Sequence, residues 1–534
     1  MDRRFSRPIL LRAVLTAAIG GIAIGFGGAP YEAYAIAWLG PAAIVLALRG
    51  LADAGDHHGL RRAALVGLAA GIGSNATTCA WVVDLLTTYA YLPAPLAWLV
   101  ASLLFLAQSL PFVLGAMLAF GAHRMARDLV GARAPTIEIA HPIATVIAAS
   151  AAPMIFPWRI GNSQTGLLAL AQIAEIGGLP LLDLVLGVAS TLALCAVLPG
   201  RSVRARLSLA VAACACLGLP ALWGAHRLEE VRAERDAAPS ITVGLVQHDF
   251  DIPDRMDMSQ WESQLGVTFT LSHALEREGV DVLLWPESSF PWGLDRDRLG
   301  LGADPRAYPV EMGLREQRFG VPIVLGAMTR DSTDVYNTVL AIDDTRVLGV
   351  VDKTRLMPFS ERIPAWEWLP FLHPFLRPGL SLGPREGGTI DVAGQRLGIL
   401  NCYEDLMADH VWRVTQHGPT VLSNHTNDAW FGRTRAPGLH HFLARMRAIE
   451  TRRDLVRTVN TGVSGVIASS GETIVETEVF ERTTLRVRVH ALEGRTWWVR
   501  VGDVTSAAAW GMCLALLLRW ARRRMFGDRD PRAS

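Results

Sequence analysis

Charge is scarce in this chain. Only 19% of its 534 residues are charged and 51% are hydrophobic, whereas soluble domains carry about a quarter charged residues. That shortage excludes a disordered chain and an ordinary soluble enzyme. Charge of one sign is missing too: a net charge of +1 and a pI near 7.8 argue against a nucleic-acid partner or any other polyanion. Cysteine is sparse, with six in the chain and no CxxC or Cys/His zinc spacing, so neither a disulfide framework nor a zinc site is expected. Lysine is nearly absent. Of 51 basic Lys and Arg residues one is a lysine, Lys353.

What is abundant is apolar sequence, and it is sharply partitioned. Runs of bilayer-spanning length occupy Leu11–Gly28, Ala33–Leu48, Ala63–Val83, Pro95–Gly121, Pro142–Trp158, Leu179–Leu198 and Leu207–Trp223, with an eighth at Val504–Leu518. The first is read as a span, not a cleaved leader, because no small-residue cleavage site follows it and further spans do. Three divisions are expected: residues 1–226 as a polytopic α-helical membrane domain of about seven helices, 227–495 as an α/β catalytic domain, and 496–534 as a last helix with a basic tail. Arginines fall before the first span (Arg3, Arg4, Arg7) and in alternate loops (Arg49, Arg61, Arg62; Arg124, Arg127, Arg133; Arg201, Arg204, Arg206). The positive-inside rule then puts those loops in the cytoplasm and the α/β domain across the membrane.

Within 227–495, strand-like runs are read at Ile241–Gln247, Val280–Trp285, Pro322–Met328, Thr338–Ile342, Arg346–Val351, Arg396–Leu400, Thr420–Ser423, Leu455–Val459 and Val463–Ala468. Helical patterns at Gln260–Glu278 and Leu439–Thr451 alternate with them, which argues for α/β layering. Three polar residues stand at strand ends: Glu287 in WPES, Lys353 closing RVLGVVDK, and Cys402 closing RLGILNC. Five of the six cysteines lie in apolar spans, where they behave as small hydrophobes, and Cys402 alone lies in the α/β domain. A buried inert thiol is the plain alternative for Cys402.

The surviving lysine bears on this choice. Arginine replaces lysine wherever solvation or a salt bridge is all that is needed, but it cannot supply a compact ammonium beside a reacting oxygen. A carboxylate, an ammonium and a thiol together suit acyl transfer through a thioester. The thiolate attacks, the carboxylate carries the proton, and the ammonium steadies the oxyanion. No histidine sits at a comparable strand end; His425, His440 and His441 offer a weak metal-site alternative. TGVSGV resembles a serine elbow but has Val466 in place of the second glycine.

WPES, DKTRLMPFSE and NCYEDL resemble the Glu-Lys-Cys signature of the nitrilase, or carbon–nitrogen hydrolase, superfamily. NDAWFG, ARMRAIETRR and NTGVSG, together with the spans, are similar to the apolipoprotein N-acyltransferases within it. The resemblance implies an αββα nitrilase-like sandwich facing the periplasm of a bacterial inner membrane, with no cofactor and no metal. Cys402 would be the nucleophile, Glu287 the general base and acid, and Lys353 the oxyanion stabiliser. The partners implied are a phospholipid acyl donor and a diacylglyceryl lipoprotein acceptor, in a ping-pong reaction. Glu361, Tyr403 and Glu404 carry over as supporting residues; a structural ion pair for Glu404 and packing for Tyr403 are the alternatives. Ser360 stands where glycine is common, and Asn401 where an apolar residue is. Trp261 is a candidate for a loop tryptophan used by the family.

Pro364–Pro378, PAWEWLPFLHPFLRP, is too rich in proline for a helix or strand and reads as an interfacial flap that guides acyl chains. Replacing Trp366, Trp368 and Phe371 together with Ser is expected to slow lipid turnover while leaving thiol labelling by a small water-soluble reagent unchanged. Unaltered turnover would remove the flap from the account. Rival readings are a membrane-anchored nitrilase-type amidase, a transporter with a large exported domain, and a dead scaffold. Few ionisable residues lie in the spans, with Glu175 and Asp183 near the edge of one, which disfavours the transporter.

Overall fold

The structure is a computed structural model that describes residues 3–53, 59–131, 136–296, 319–344, 346–363, 379–383 and 387–526. It divides into two compact units, one of residues 1–227 with 500–534 and one of residues 228–499.

The first unit is helical. Among the described residues six helices are long and apolar enough to cross a membrane: Pro8–Gly25, Tyr34–Asp53, Ala94–Val130, Ala174–Val197, Val203–Ala237 and Val504–Met525. The eight expected runs all fall on apolar helices, but two are not single full-length spans. The third is a bent pair, Gly59–Cys79 and Val82–Thr88, meeting at 56°. In its last turns Asn75, Thr77 and Thr78 donate side-chain hydrogen bonds to the carbonyls of Gly71, Gly73 and Ser74, and such back-bonding bends helices. The fifth, Thr136–Ala151, is shorter than the rest and stops two residues before Pro153, where proline disfavours continuing the helix. In Ala174–Val197 the helix proper begins after Gly178, whose φ of +67° breaks it just before Pro180.

The second unit packs two sheets face to face. Its strands are β1 (Ser240–Gln247), β2 (Val282–Leu284), β3 (Phe290–Asp295), β4 (Ile323–Arg330), β5 (Val335–Ile342), β6 (Val347–Asp352), β7 (Gly388–Val392), β8 (Gln395–Asn401), β9 (Val421–Thr426), β10 (Leu455–Val459), β11 (Gly465–Ile467), β12 (Thr473–Glu476) and β13 (Thr483–His490). One sheet has the order β13-β1-β2-β4-β5-β6 with β3 also on β4; the other has β12-β11-β10-β9-β8-β7. Central pairs β1–β2, β2–β4, β8–β9 and β9–β10 are parallel. Alternation decides which residues meet between the sheets: Ile241, Val243 and Leu245 of β1 join Leu397 and Ile399 of β8 in one apolar cluster. On the outer face of the first sheet, Leu283 and Leu325 pack with Leu265 and Phe269 from the helix Trp261–Arg277. On the outer face of the second, Leu400 and Leu422 pack with Val411, Ala444 and Ala448 from Ala408–Gln416 and Ala436–Thr451. The layers are therefore αββα.

One irregularity matters for the site. β2 and β3 lie in succession along β4, with Leu283 opposite Ile323 and Phe290 opposite Ala327. Pro286, which cannot donate to a ladder, opens the break between them. Glu287 sits in that break.

Candidate active site

Glu287 leaves the interrupted strand beside Gly326 of β4. A side chain at 326 would place its Cβ 2.6 Å from Glu287 Cα and 2.5 Å from the Ser288 nitrogen, so glycine is what lets the acidic loop lie flat on β4. Lys353 follows β6, and its backbone N–H donates to Asn337 O (2.7 Å). Cys402 follows β8 and opens a tight turn, Cys402–Leu406. Its φ is +54°, a left-handed conformation costly for a side-chain-bearing residue. Asn424 of β9 restrains that turn by donating to the Cys402 carbonyl (2.7 Å).

The structure brings the lysine and two acids into direct contact. Lys353 Nζ donates to Glu287 Oε1 and to Glu361 Oε1, both at 2.8 Å. Lys353 is only 2% exposed. Burial pulls its ammonium toward neutrality, but Glu287 and Glu361 outweigh burial and hold it charged, well above the usual lysine range. An ammonium has three donors, and these two contacts leave one for another oxygen. Burial pushes the Cys402 thiol well above its ordinary value and the Glu287 charge adds to that, while Lys353 opposes both. Near neutral pH the sulfur is therefore held as a protonated thiol.

Three asparagines, none singled out in the sequence as site residues, build the frame around these groups. Asn337 Nδ2 donates to Glu287 Oε1 (2.8 Å) and Glu361 Oε1 (3.1 Å). Asn401 Nδ2 donates to Asn337 Oδ1 (2.9 Å), which explains a polar residue where an apolar one was expected. The Asn427 backbone N–H donates to the second Glu287 oxygen (3.1 Å). Signals existed: Asn337 is a buried amide in the apolar run VYNTVLAI, and Asn401 immediately precedes the cysteine.

The supporting residues are placed as follows. Glu361 Oε2 also accepts from the Met357 N–H (2.7 Å). Glu404 accepts backbone N–H bonds from Thr354 (2.6 Å), Arg355 (2.8 Å) and Asn401 (2.8 Å), with His410 at 3.3 Å. Burial would raise its carboxyl, but His410 and these amides more than offset that and hold it below its ordinary range. Glu404 thus ties the segment after Lys353 to the turn of Cys402. Tyr403 donates to Leu356 O (2.8 Å), and its ring centre lies 5.8 Å from Lys353 Nζ. Trp261 begins a helix, donating to Arg255 O (3.0 Å) and meeting Trp292 edge-on. Trp366, Trp368 and Phe371 lie outside the described residues.

The histidines do not converge. His425 Nδ1 lies 2.7 Å from Trp285 O, and burial lowers the ring to about 4, which keeps it neutral. His440 lies between Asp405 and Asp428, whereas His441 lies near Thr473 and Glu476. Among the described residues no group of three or more His, Cys, Asp or Glu side chains is arranged to hold a metal ion.

Residues 242–497 match the carbon–nitrogen hydrolase family model, and residues 20–192 match the model of the apolipoprotein N-acyltransferase N-terminal domain. Both halves of the expected architecture are thereby present in one chain. It belongs to the apolipoprotein N-acyltransferase family. An apolipoprotein N-acyltransferase of Geobacter metallireducens is 27% identical over 522 residues, 96% of each chain. One of Methylococcus capsulatus is 29% identical over 530 residues, 96% of this chain and 97% of the relative. Among solved structures, Saccharomyces cerevisiae Nit3, of branch 10 of the nitrilase superfamily, is 18% identical and covers 47% of this chain and 90% of its own, with a TM-score of 0.35. As a member of the family the chain is an N-acyltransferase of the carbon–nitrogen hydrolase superfamily, with apolar helices of membrane-spanning length.

Proposed function

We propose that this enzyme moves the sn-1 acyl chain of a phospholipid, through a thioester on Cys402, to the N-terminal amine of a diacylglyceryl-cysteine lipoprotein. The observation that carries the reading is the buried Lys353 held by both Glu287 and Glu361, with Cys402 in a strained turn at the end of the neighbouring β8.

The steps follow from those groups. Glu287 takes the thiol proton as sulfur attacks the ester carbonyl, so no free thiolate has to persist in a buried site. The free N–H of Lys353 faces the oxyanion, and donors of this kind are worth about 3–4 kcal/mol. When the C–O bond breaks, Glu287 returns the proton to the departing lysophospholipid oxygen. The lipoprotein amine then attacks the thioester; its proton passes to Glu287 and on to the released sulfur, leaving an amide. Glu361 keeps Lys353 charged and in place while Glu287 is transiently neutral. The acyl chain and the amine both come from lipids, which fits an enzyme of the inner membrane whose α/β unit faces the periplasm, the orientation that the arginine distribution supports.

The test is acyl transfer by the purified full chain in proteoliposomes, with a diacylated lipopeptide as acceptor. The expected product is the peptide heavier by one acyl group on its α-amine, with one lysophospholipid per peptide. Hydrolysis without transfer, the behaviour of a membrane-anchored amidase, would overturn the reading.

Asn337→Leu provides a finer check. It removes two hydrogen bonds to charged oxygens and leaves the Asn401 amide unpaired, at about 1–3 kcal/mol for each loss. kcat/KM is expected to fall about 10- to 100-fold. Wild-type turnover would mean that the amide frame does not orient Glu287.

A further inference from the structure

The mechanism uses no histidine, yet one buried histidine is bound on both sides by acids. His440 Nε2 lies 2.9 Å from Asp405 Oδ1, and its Nδ1 lies 3.0 Å from Asp428 Oδ1. A neutral imidazole carries one N–H and would turn a lone pair toward one of these carboxylates, so the geometry calls for an imidazolium. Burial opposes that charge, but Asp405 and Asp428 outweigh burial and the repulsion of Arg457, raising the ring to about 9. Arg457 in turn pairs with the other oxygen of Asp405. Two carboxylates and two cations therefore form one buried, balanced chain.

Its ends lie at the site. Asp405 belongs to the turn Cys402–Leu406. Asp428 opens the turn Asp428–Phe431, directly after Asn427, whose N–H holds Glu287. Asp428 Oδ2 is buried without a hydrogen-bond partner, and the Asp428 charge acts on the Cys402 thiol. The groups around His440 are these two acids, Arg457 from β10, its helix neighbour His441, and the Phe431 ring edge-on.

We propose that His440 is a positioning residue: a fixed imidazolium that clamps the turn carrying Cys402 to the turn holding Glu287, and that cancels the Asp428 charge beside the sulfur. This rests on Cys402 being the nucleophile. Because the ring stands at about 9 in the folded protein against an ordinary 6.5, its contribution to stability is complete below about pH 6.5 and is lost as pH rises through about 9.

The experiment measures the rate of iodoacetamide alkylation of the full-length protein in detergent at about pH 7.5, where the wild-type ring is charged, with Cys402→Ala as background, alongside acyl-transfer kinetics. His440→Gln is expected to slow Cys402 labelling about 10-fold and to lower kcat about 10- to 100-fold with little change in donor KM. His440→Gln combined with Asp428→Asn should bring the labelling rate back toward wild type, because the uncompensated carboxylate is gone. Asp428→Asn alone preserves shape and should speed labelling. The clamp is overturned by unchanged labelling rates in these variants, including the case in which only thermal stability falls. Equal labelling of Cys402→Ala and wild type would instead show that another thiol reacts, and would sink the assignment of Cys402 beneath the proposal.

Discussion

Replacing Cys402 with Ala is expected to lower acyl transfer by at least about 10⁴-fold and to abolish the acyl-enzyme. The remaining groups can bind a lipid ester and polarise its carbonyl, but none can hold the chain between donor and acceptor. Glu287 and Glu361 are both occupied by Lys353 and Asn337, and a carboxylate would give a mixed anhydride open to water. Folding should survive, since alanine keeps the turn's backbone partners. Residual transfer is read by mass spectrometry of the lipopeptide; wild-type transfer by the alanine variant would contradict the nucleophile assignment.

Lys353 carries the second large effect, and it appears in both activity and stability. Lys353→Met removes the cation that bonds both Glu287 and Glu361. Leaving buried charges without their partner costs about 3–5 kcal/mol, so the melting temperature should drop by several degrees. Activity should fall by about 10²- to 10³-fold from loss of the oxyanion donor. Lys353→Arg should recover much of the stability and little of the rate, because a planar guanidinium satisfies the acids without placing a compact N–H at the oxyanion. Full activity in the arginine variant would contradict the role given to the ammonium.

The lysine count shows why part of this site was readable. In a chain that uses arginine almost everywhere, one retained lysine and a lone domain cysteine, each at a strand end, mark themselves. The frame was not readable in the same way, because Asn337 reaches Glu287 across fifty positions of sequence and nothing local announces that pairing. Among the strands, β10 was legible to the residue because LVRTV is short, apolar and β-branched. β13 was missed because exposed Arg486 and Arg488 alternate with its apolar residues and dilute the run. β3 was missed because Pro291 and Gly293 argue against a strand, which here survives beside a break. In the helical unit hydropathy located all eight apolar runs, but it carries no record of the 56° bend or of the side chains that bond their own helix just before it.

The most direct measurement is to incubate the full chain with phospholipid labelled in its sn-1 chain, quench before acceptor is added, and map the label by peptide mass analysis. A hydroxylamine-sensitive acyl group is expected on the peptide containing Cys402, and it should move to the amine of a diacylated lipopeptide when that is added. Label on any other residue, or transfer that proceeds with no bound intermediate, would contradict that expectation.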